Sequence, residues 1–210
     1  MLFEDFATLT IDRGDRPQLF AFCEHQLDKL SPAPKHKIFV TEPPTSNSPD
    51  IIKRMKMGIT AAKNLGIDIL YVVESDDFYP PDFVNQMWIG THDFIGSSKT
   101  LYYHIGNKTY EQLDHPGRSS LFCTAFRISA LDKFEWPAED TVFLDIDLWK
   151  YAVKRGNYKL LDEPIGVGIK HGIGKTGGSG HRRVFAQNDE NNAFLKSKVD
   201  REAYAFYMSL

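Results

Sequence analysis

The stretch Tyr71-Val72-Val73-Glu74-Ser75-Asp76-Asp77-Phe78-Tyr79-Pro80-Pro81-Asp82 ends an apolar run in three closely spaced carboxylates. The run Ile67 to Val73 predicts a buried strand, too short for an ordinary helix and bounded by Gly66 and the acids. Unpaired carboxylates gathered at one strand end repel one another. A divalent cation relieves that repulsion and keeps coordination positions open for phosphate oxygens. The competing reading is a solvated turn over Asp77 to Pro81 whose acids cap a helix starting near Pro81. Two acids two residues apart do not decide between them, so the rest of the chain must.

Elements that could position such a site alternate from the start. Ala7 to Ile11 is β-prone, Gln18 to Leu30 has helical apolar spacing, and Lys37 to Thr41 is β-prone again. A Pro/Ser-rich break over residues 43–49 precedes a helix from about Asp50 to Leu65, and the acid-ended strand follows. This alternation implies a mainly parallel sheet flanked by helices, with ligand at the C-terminal strand ends, where Asp12, Glu42 and the Glu74 to Asp77 cluster all fall. Downstream, shorter β-prone pieces are expected at Asp93 to Ser97, Thr100 to Ile105, Leu121 to Ile128, Tyr158 to Leu161 and Ile165 to Lys170, with a helix over Leu144 to Arg155. Gly172 to Gly180 reads as a glycine-rich loop, and residues 184–210 as a closing helix. The expectation is one α/β domain: residues 7–98 as a nucleotide-binding half, 99–183 as a facing half with a lid over 172–183, and 184–210 as the terminal helix.

Composition narrows the class. A 210-residue chain that is 42% hydrophobic and 25% charged can bury a large core, and a net charge of -3 excludes a broadly basic nucleic-acid-tracking surface. Lys170, Lys175, Arg182 and Arg183 form the one basic concentration. Cys23 and Cys123 are too few for a disulfide framework and point to a reducing, cytoplasmic setting. No leader or membrane span is expected. Gly174-Lys175-Thr176 is not a P-loop, since Ile169 stands where that motif needs glycine, and Arg13-Gly14-Asp15 reads as a turn.

Several spaced features together give the chain a resemblance to the family 2 glycosyltransferases of the GT-A fold. They are Thr10-Ile11-Asp12-Arg13 closing the first strand, Glu42 closing the second, and Arg54 on a helix with Gly58, Ala61, Ala62 and Asn64. Glu74-Ser75-Asp76 follows as a variant DxD motif, and Asp145-Ile146-Asp147-Leu148-Trp149 comes at a helix start. The likeness spans roughly residues 7 to 171, and the order of the motifs carries more weight than any one of them.

The resemblance implies an inverting hexosyl transfer from a nucleotide sugar, usually UDP-linked, to a hydroxyl acceptor, with Mn2+ or Mg2+ on the diphosphate. On that analogy Thr10, Asp12, Arg13 and Glu42 line the nucleoside site, Arg54 meets base or diphosphate, and Ser75 sits within the donor motif. Asp76 is the main metal ligand with Asp77 in support, and Glu74 is directed at ribose or metal. Asp145 is the catalytic base, with Asp147 structural. His171 completes the metal shell, and Lys170, Lys175, Arg182 and Arg183 cover the diphosphate. Plainer roles stand beside these: helix capping for Asp12, Asp145 or Asp147, an exposed helix charge for Arg54, and an ordinary histidine at 171. His115 to Ser120 is either an ordinary hairpin loop or part of the sugar or acceptor pocket, with Arg127 near it. Trp149 is a candidate stacking surface. The acceptor is open among a saccharide, a protein, a small molecule and a hydroxylated DNA base. Two alternatives use the same strand-end acids: a nucleotidyltransferase acting on a sugar phosphate, and a non-catalytic nucleotide- or sugar-binding module.

Overall fold

The computed structural model describes residues 4–43, 49–172 and 184–210. Its centre is a six-stranded sheet in the order β2-β1-β3-β7-β4-β8. The strands are β1 (Phe6–Ile11), β2 (His36–Val40), β3 (Ile69–Glu74), β4 (Phe94–Ser97), β7 (Thr124–Arg127) and β8 (Tyr158–Leu161). Pairing is parallel for β2 with β1, β1 with β3 and β4 with β8, while β7 runs antiparallel to both its neighbours. This is the GT-A-type mixed, mainly parallel sheet expected from the sequence. Strands β7 and β8 come from beyond residue 98, so the main sheet draws on both parts of the chain.

Side-chain alternation explains the layers. In β3, Leu70 and Val72 face one core with Ala7 and Leu9 of β1, and Ile69, Tyr71 and Val73 face another. The first core is closed by α2 (Ile51–Asn64) and α4 (Leu144–Arg155), the second by α1 (Pro17–Asp28) and the short α3 (Phe83–Gln86). Helix α2 approaches β1 at Gly58, where an added Cβ would lie 2.2 Å from a Leu9 methyl. Helix α4 carries Asp145 and Asp147 in its first turn, Lys154 and Arg155 in its last, and ends on Gly156 at φ 84°, a left-handed C-cap.

A second, four-stranded sheet runs β10-β6-β5-β9, from β5 (Lys99–His104), β6 (Thr109–Asp114), β9 (Val167–Lys170) and β10 (Gln187–Asn188). It packs on the C-terminal segment through Tyr103, Ile169, Leu195, Ala203 and Tyr207. It is joined to the loop after β3 by a two-way backbone bridge: Phe78 N donates to Val167 O at 2.9 Å and Val167 N to Phe78 O at 3.1 Å.

Two expectations are corrected. Residues 184–210 do not form one helix; β10 is followed by α5 (Ala193–Lys198) and α6 (Arg201–Tyr207). Asp189 accepts from Phe194 N and Leu195 N, and Asp200 accepts from Ala203 N, so each aspartate starts a new helix. Strand β6 had no predicted counterpart, because its outward residues are polar and half-exposed. It closes a hairpin with β5 across Ile105-Gly106-Asn107-Lys108, with Lys108 at φ 50°.

Candidate active site

The strand ends are tied together before any ligand is considered. Asp12, 2% exposed after β1, accepts from Gly14 N at 2.6 Å and from the Ser75 hydroxyl at 2.5 Å, which links the first loop to the acidic loop. Arg54, 3% exposed on α2, donates to the carbonyls of Asp12 at 2.7 Å, Val40 at 3.3 Å and Glu42 at 2.5 Å, and to Asp50 at 2.9 Å. Its guanidinium thus clamps the ends of β1 and β2. Thr10 is fully buried within β1 with its side chain against Cys23. Both side chains are thus engaged with the protein's own interior and strand ends. Arg13 lies against Asp50 at 3.8 Å, and the Glu42 side chain is exposed at the rim.

Glu74, Asp76 and Asp77 each place a carboxylate oxygen within 4.8 Å of the others. Asp77 is completely buried; one oxygen accepts from Ile169 N at 2.8 Å, and Oδ2 has no hydrogen-bond partner. Gln26 on α1 fixes the same loop, donating to Asp77 O at 3.1 Å and accepting from Tyr79 N at 2.9 Å. Asp76 Oδ2 accepts from Arg16 Nη1 at 2.6 Å and lies 3.1 Å from His171 Nε2. The His171 ring is fully buried.

Charge is distributed unevenly among the three acids. Burial pushes the Glu74 carboxyl up to about 7, aided by Asp76 and Asp145 and opposed by Lys170 and Arg16. Burial, with Asp76 and Glu74, likewise raises Asp77 well above the usual carboxylate range, against the pull of Lys170. Asp76 goes the other way: the His171 hydrogen bond, Arg16 and Lys170 overcome its burial and hold it below that range. Lys170 stays cationic despite burial because Asp77, Asp76 and Glu74 surround it, and its Nζ lies 5.1 Å from the Tyr102 ring centre. The donor set fits a hard divalent cation: three clustered carboxylates, one with an unpartnered buried oxygen.

Asp145, at the start of α4, is close enough to Glu74 to raise its pKa. It is 8% exposed and paired with Arg118 Nη1 from the turn after β6. Burial raises its carboxyl above the ordinary value while Arg118 and the amides of Asp145 and Ile146 pull it down. The turn also carries Ser120, whose hydroxyl meets Thr100 at 2.9 Å, Tyr102 at 3.0 Å and His115 at 3.3 Å.

The sequence reading missed Arg16 and gave Arg118 no role of its own within the His115 to Ser120 turn. Arg16 follows the Arg13-Gly14-Asp15 turn, and Arg118 follows the glycine of another turn; a cation next to a glycine turn at a strand end was the available signal. Two other readings are corrected. Arg127 lies at the opposite end of the sheet, where it pairs with Glu4 at 2.8 Å, because β7 is antiparallel to β3 and carries its last residue away from the acids. Trp149 is fully buried core, its indole donating to Thr124 at 3.0 Å. Lys175, Arg182 and Arg183, with most of the expected lid, lie outside the described residues. Among the described residues no helix is long and apolar enough to cross a membrane.

No protein-family model matches the chain, and a comparison with curated proteins finds no match. Solved structures do resemble it. Residues 1–349 of S. aureus TarS align with a TM-score of 0.52 at 10% identity, over 80% of this chain and 61% of that one. The same fragment in complex with UDP aligns at 0.46 and 12% identity, over 79% and 60%. A197 from STIV aligns at 0.45 and 12% identity, over 76% and 82%. The chain thus spans about three fifths of the TarS fragment, with which it shares its fold.

Proposed function

We propose that this protein is an inverting, metal-dependent glycosyltransferase that moves a sugar from a nucleotide-sugar donor, with UDP the favoured nucleotide, to an acceptor hydroxyl. The observation that carries the reading is the pairing of two acidic stations. Glu74, Asp76 and Asp77 crowd at the end of β3 with an unpartnered oxygen on Asp77, and a separate buried carboxylate, Asp145, stands within electrostatic reach of Glu74. The motif resemblance supplies the donor class, and the fold shared with the TarS fragment is consistent with it.

In this reading Asp76, Asp77 and His171 hold Mn2+ or Mg2+, which neutralises charge on the leaving diphosphate. Asp12 and Ser75 lock the first loop to the acidic loop, with Arg13 and Glu42 at the nucleoside rim. Lys170, kept cationic by its acidic neighbours, adds fixed positive charge beside the diphosphate, with Lys175 proposed from the lid. Asp145 takes the proton from the acceptor hydroxyl, and Arg118 orients it and keeps enough of it ionised to act. The free, buried cysteines suit a reducing cytoplasm.

Thermal stabilisation by UDP, GDP, CMP and dTDP, each with and without Mn2+, tests the donor site on wild type and Asp76→Asn. The expected result is a UDP shift that needs both Mn2+ and Asp76. No shift with any nucleotide overturns the reading, and release of pyrophosphate in place of UDP from a sugar substrate moves it to nucleotidyl transfer.

A further inference from the structure

The Arg16 guanidinium stands in an unusual position. Its Nη1 is 2.6 Å from Asp76 Oδ2 and 3.3 Å from His171 Nε2, and those two atoms are 3.1 Å apart. All three atoms touch one another. A cation shared by Asp76 and His171 would have to lie between these same two ligand atoms, and a positively charged nitrogen is already in contact with both.

The arrangement also leaves two buried groups of opposite character unsatisfied. Arg16 Nε is buried with no hydrogen-bond acceptor, its carboxylate neighbour Asp15 being 3.6 Å away. Asp77 Oδ2 is an acceptor without a donor in the same cluster. An arginine committed to a structural ion pair normally uses its planar fork on the carboxylate, two N–H groups to two oxygens. Here Nη1 makes the hydrogen bond, while the adjacent Nε makes none and has only the loose 3.6 Å ion pair with Asp15. One orphan donor and one orphan acceptor are what a cation and a polyanion arriving together would complete, the cation at Asp77 and an anion oxygen at Arg16 Nε.

We propose that Arg16 is a built-in placeholder for the metal: it neutralises Asp76 while the site is empty, and yields that position to become a diphosphate contact when cation and nucleotide bind. The proposal rests on the metal-dependent donor site proposed above. Its consequence is that metal and nucleotide bind cooperatively. Either alone must compete with, or do without, the Arg16–Asp76 contact, whereas the pair satisfies both partners, and the coupling is reciprocal by linkage.

The test is Mn2+ binding followed by the free-ion EPR signal, with and without UDP, on wild type, Arg16→Gln, Arg16→Lys and Asp76→Asn, with circular dichroism checking the fold. Arg16→Gln is expected to bind Mn2+ without nucleotide about tenfold more tightly than wild type, because a charge-assisted contact no longer competes. Its affinity for UDP in saturating Mn2+ is expected to fall by about tenfold, so the UDP enhancement of Mn2+ binding seen in wild type disappears. Arg16→Lys, keeping the charge without the fork, should fall between the two and guards against misfolding of the glutamine variant. If Arg16→Gln and Arg16→Lys bind Mn2+ no more tightly than wild type while Asp76→Asn loses it, the placeholder role is overturned and the metal site stands. If no variant binds Mn2+ with or without UDP, the metal-dependent reading falls and takes the placeholder with it.

Discussion

Arg54→Met separates two roles for the most heavily engaged side chain near the site. Methionine keeps the volume on α2 but removes the donors to the carbonyls of Asp12, Val40 and Glu42. The Val40 carbonyl also accepts from Asp12 N at 3.0 Å and so keeps a partner. The Asp50 carboxylate is partly exposed and can turn to water, so its contact is discounted. The short bonds to Asp12 O and Glu42 O remain, and at about 1.5 kcal/mol for each hydrogen bond to a charged group the substitution costs about 3 kcal/mol. For a chain of this length that lowers the melting midpoint by roughly 6–12 °C. Differential scanning calorimetry on wild type and variant measures it, alongside UDP titration in Mn2+ at a temperature where both are folded. The expected outcome is a large loss of stability with a weaker donor affinity, because the loops after β1 and β2 lose their common clamp. A variant that melts within 2 °C of wild type yet fails to bind UDP would refute this reasoning and return Arg54 to direct contact with base or diphosphate.

Other expectations follow from the same geometry. Asp145→Asn should abolish sugar transfer while leaving the UDP and Mn2+ thermal shift intact; retained transfer would remove Asp145 as the base. Arg118→Gln should move the acidic limb of kcat/KM to higher pH. The base works above its own pKa, burial raises that pKa, and Arg118 is the neighbouring charge that lowers it; an unmoved limb, or one moved to lower pH, contradicts this. Gly96→Ala should destabilise by about 2–3 kcal/mol, since its Cβ would sit 2.5 Å from both Ser119 Cβ and the buried Trp149 ring; calorimetry showing a midpoint within 2 °C of wild type would show that this packing relaxes freely.

Much of the main sheet was legible because β1 and β3 are short, mainly apolar runs followed by a polar turn, a pattern that burial on both faces imposes, and β2 repeats it more weakly at the sheet edge. Helix α4 was legible to the residue, its first-turn acids and Gly156 marking both ends. Strand β6 was not, because half-exposed Tyr-Glu-Gln alternates too weakly, although Gly106-Asn107 was a readable hairpin turn. The C-terminal break was hidden by apolar spacing that continues across Val199-Asp200; only the capping aspartates show it. At the site, the sequence pointed to the acids and to His171 and Lys170 beside them, but not to their arginine partners. Glu74, Asp76 and Asp77 are adjacent in the chain, whereas Arg16 and Arg118 reach Asp76 and Asp145 from 60 and 27 residues away, a distance only the folded topology closes.

The bridge between Phe78 and Val167, with Ile169 N on the Asp77 carboxylate, makes the acidic loop a seam common to both sheets. At the same seam an added Cβ on Gly166 would lie 2.6 Å from Phe78 O, so the two backbones leave no room for slippage. Such a joint fuses what could have been two folding units. The smaller sheet cannot detach without tearing open the place where the acids sit, so the amides of Phe78, Val167 and Ile169 should exchange with solvent only when the whole molecule unfolds. Any insertion that shifts β9 would be felt first by Asp77, whose carboxylate holds the Ile169 amide.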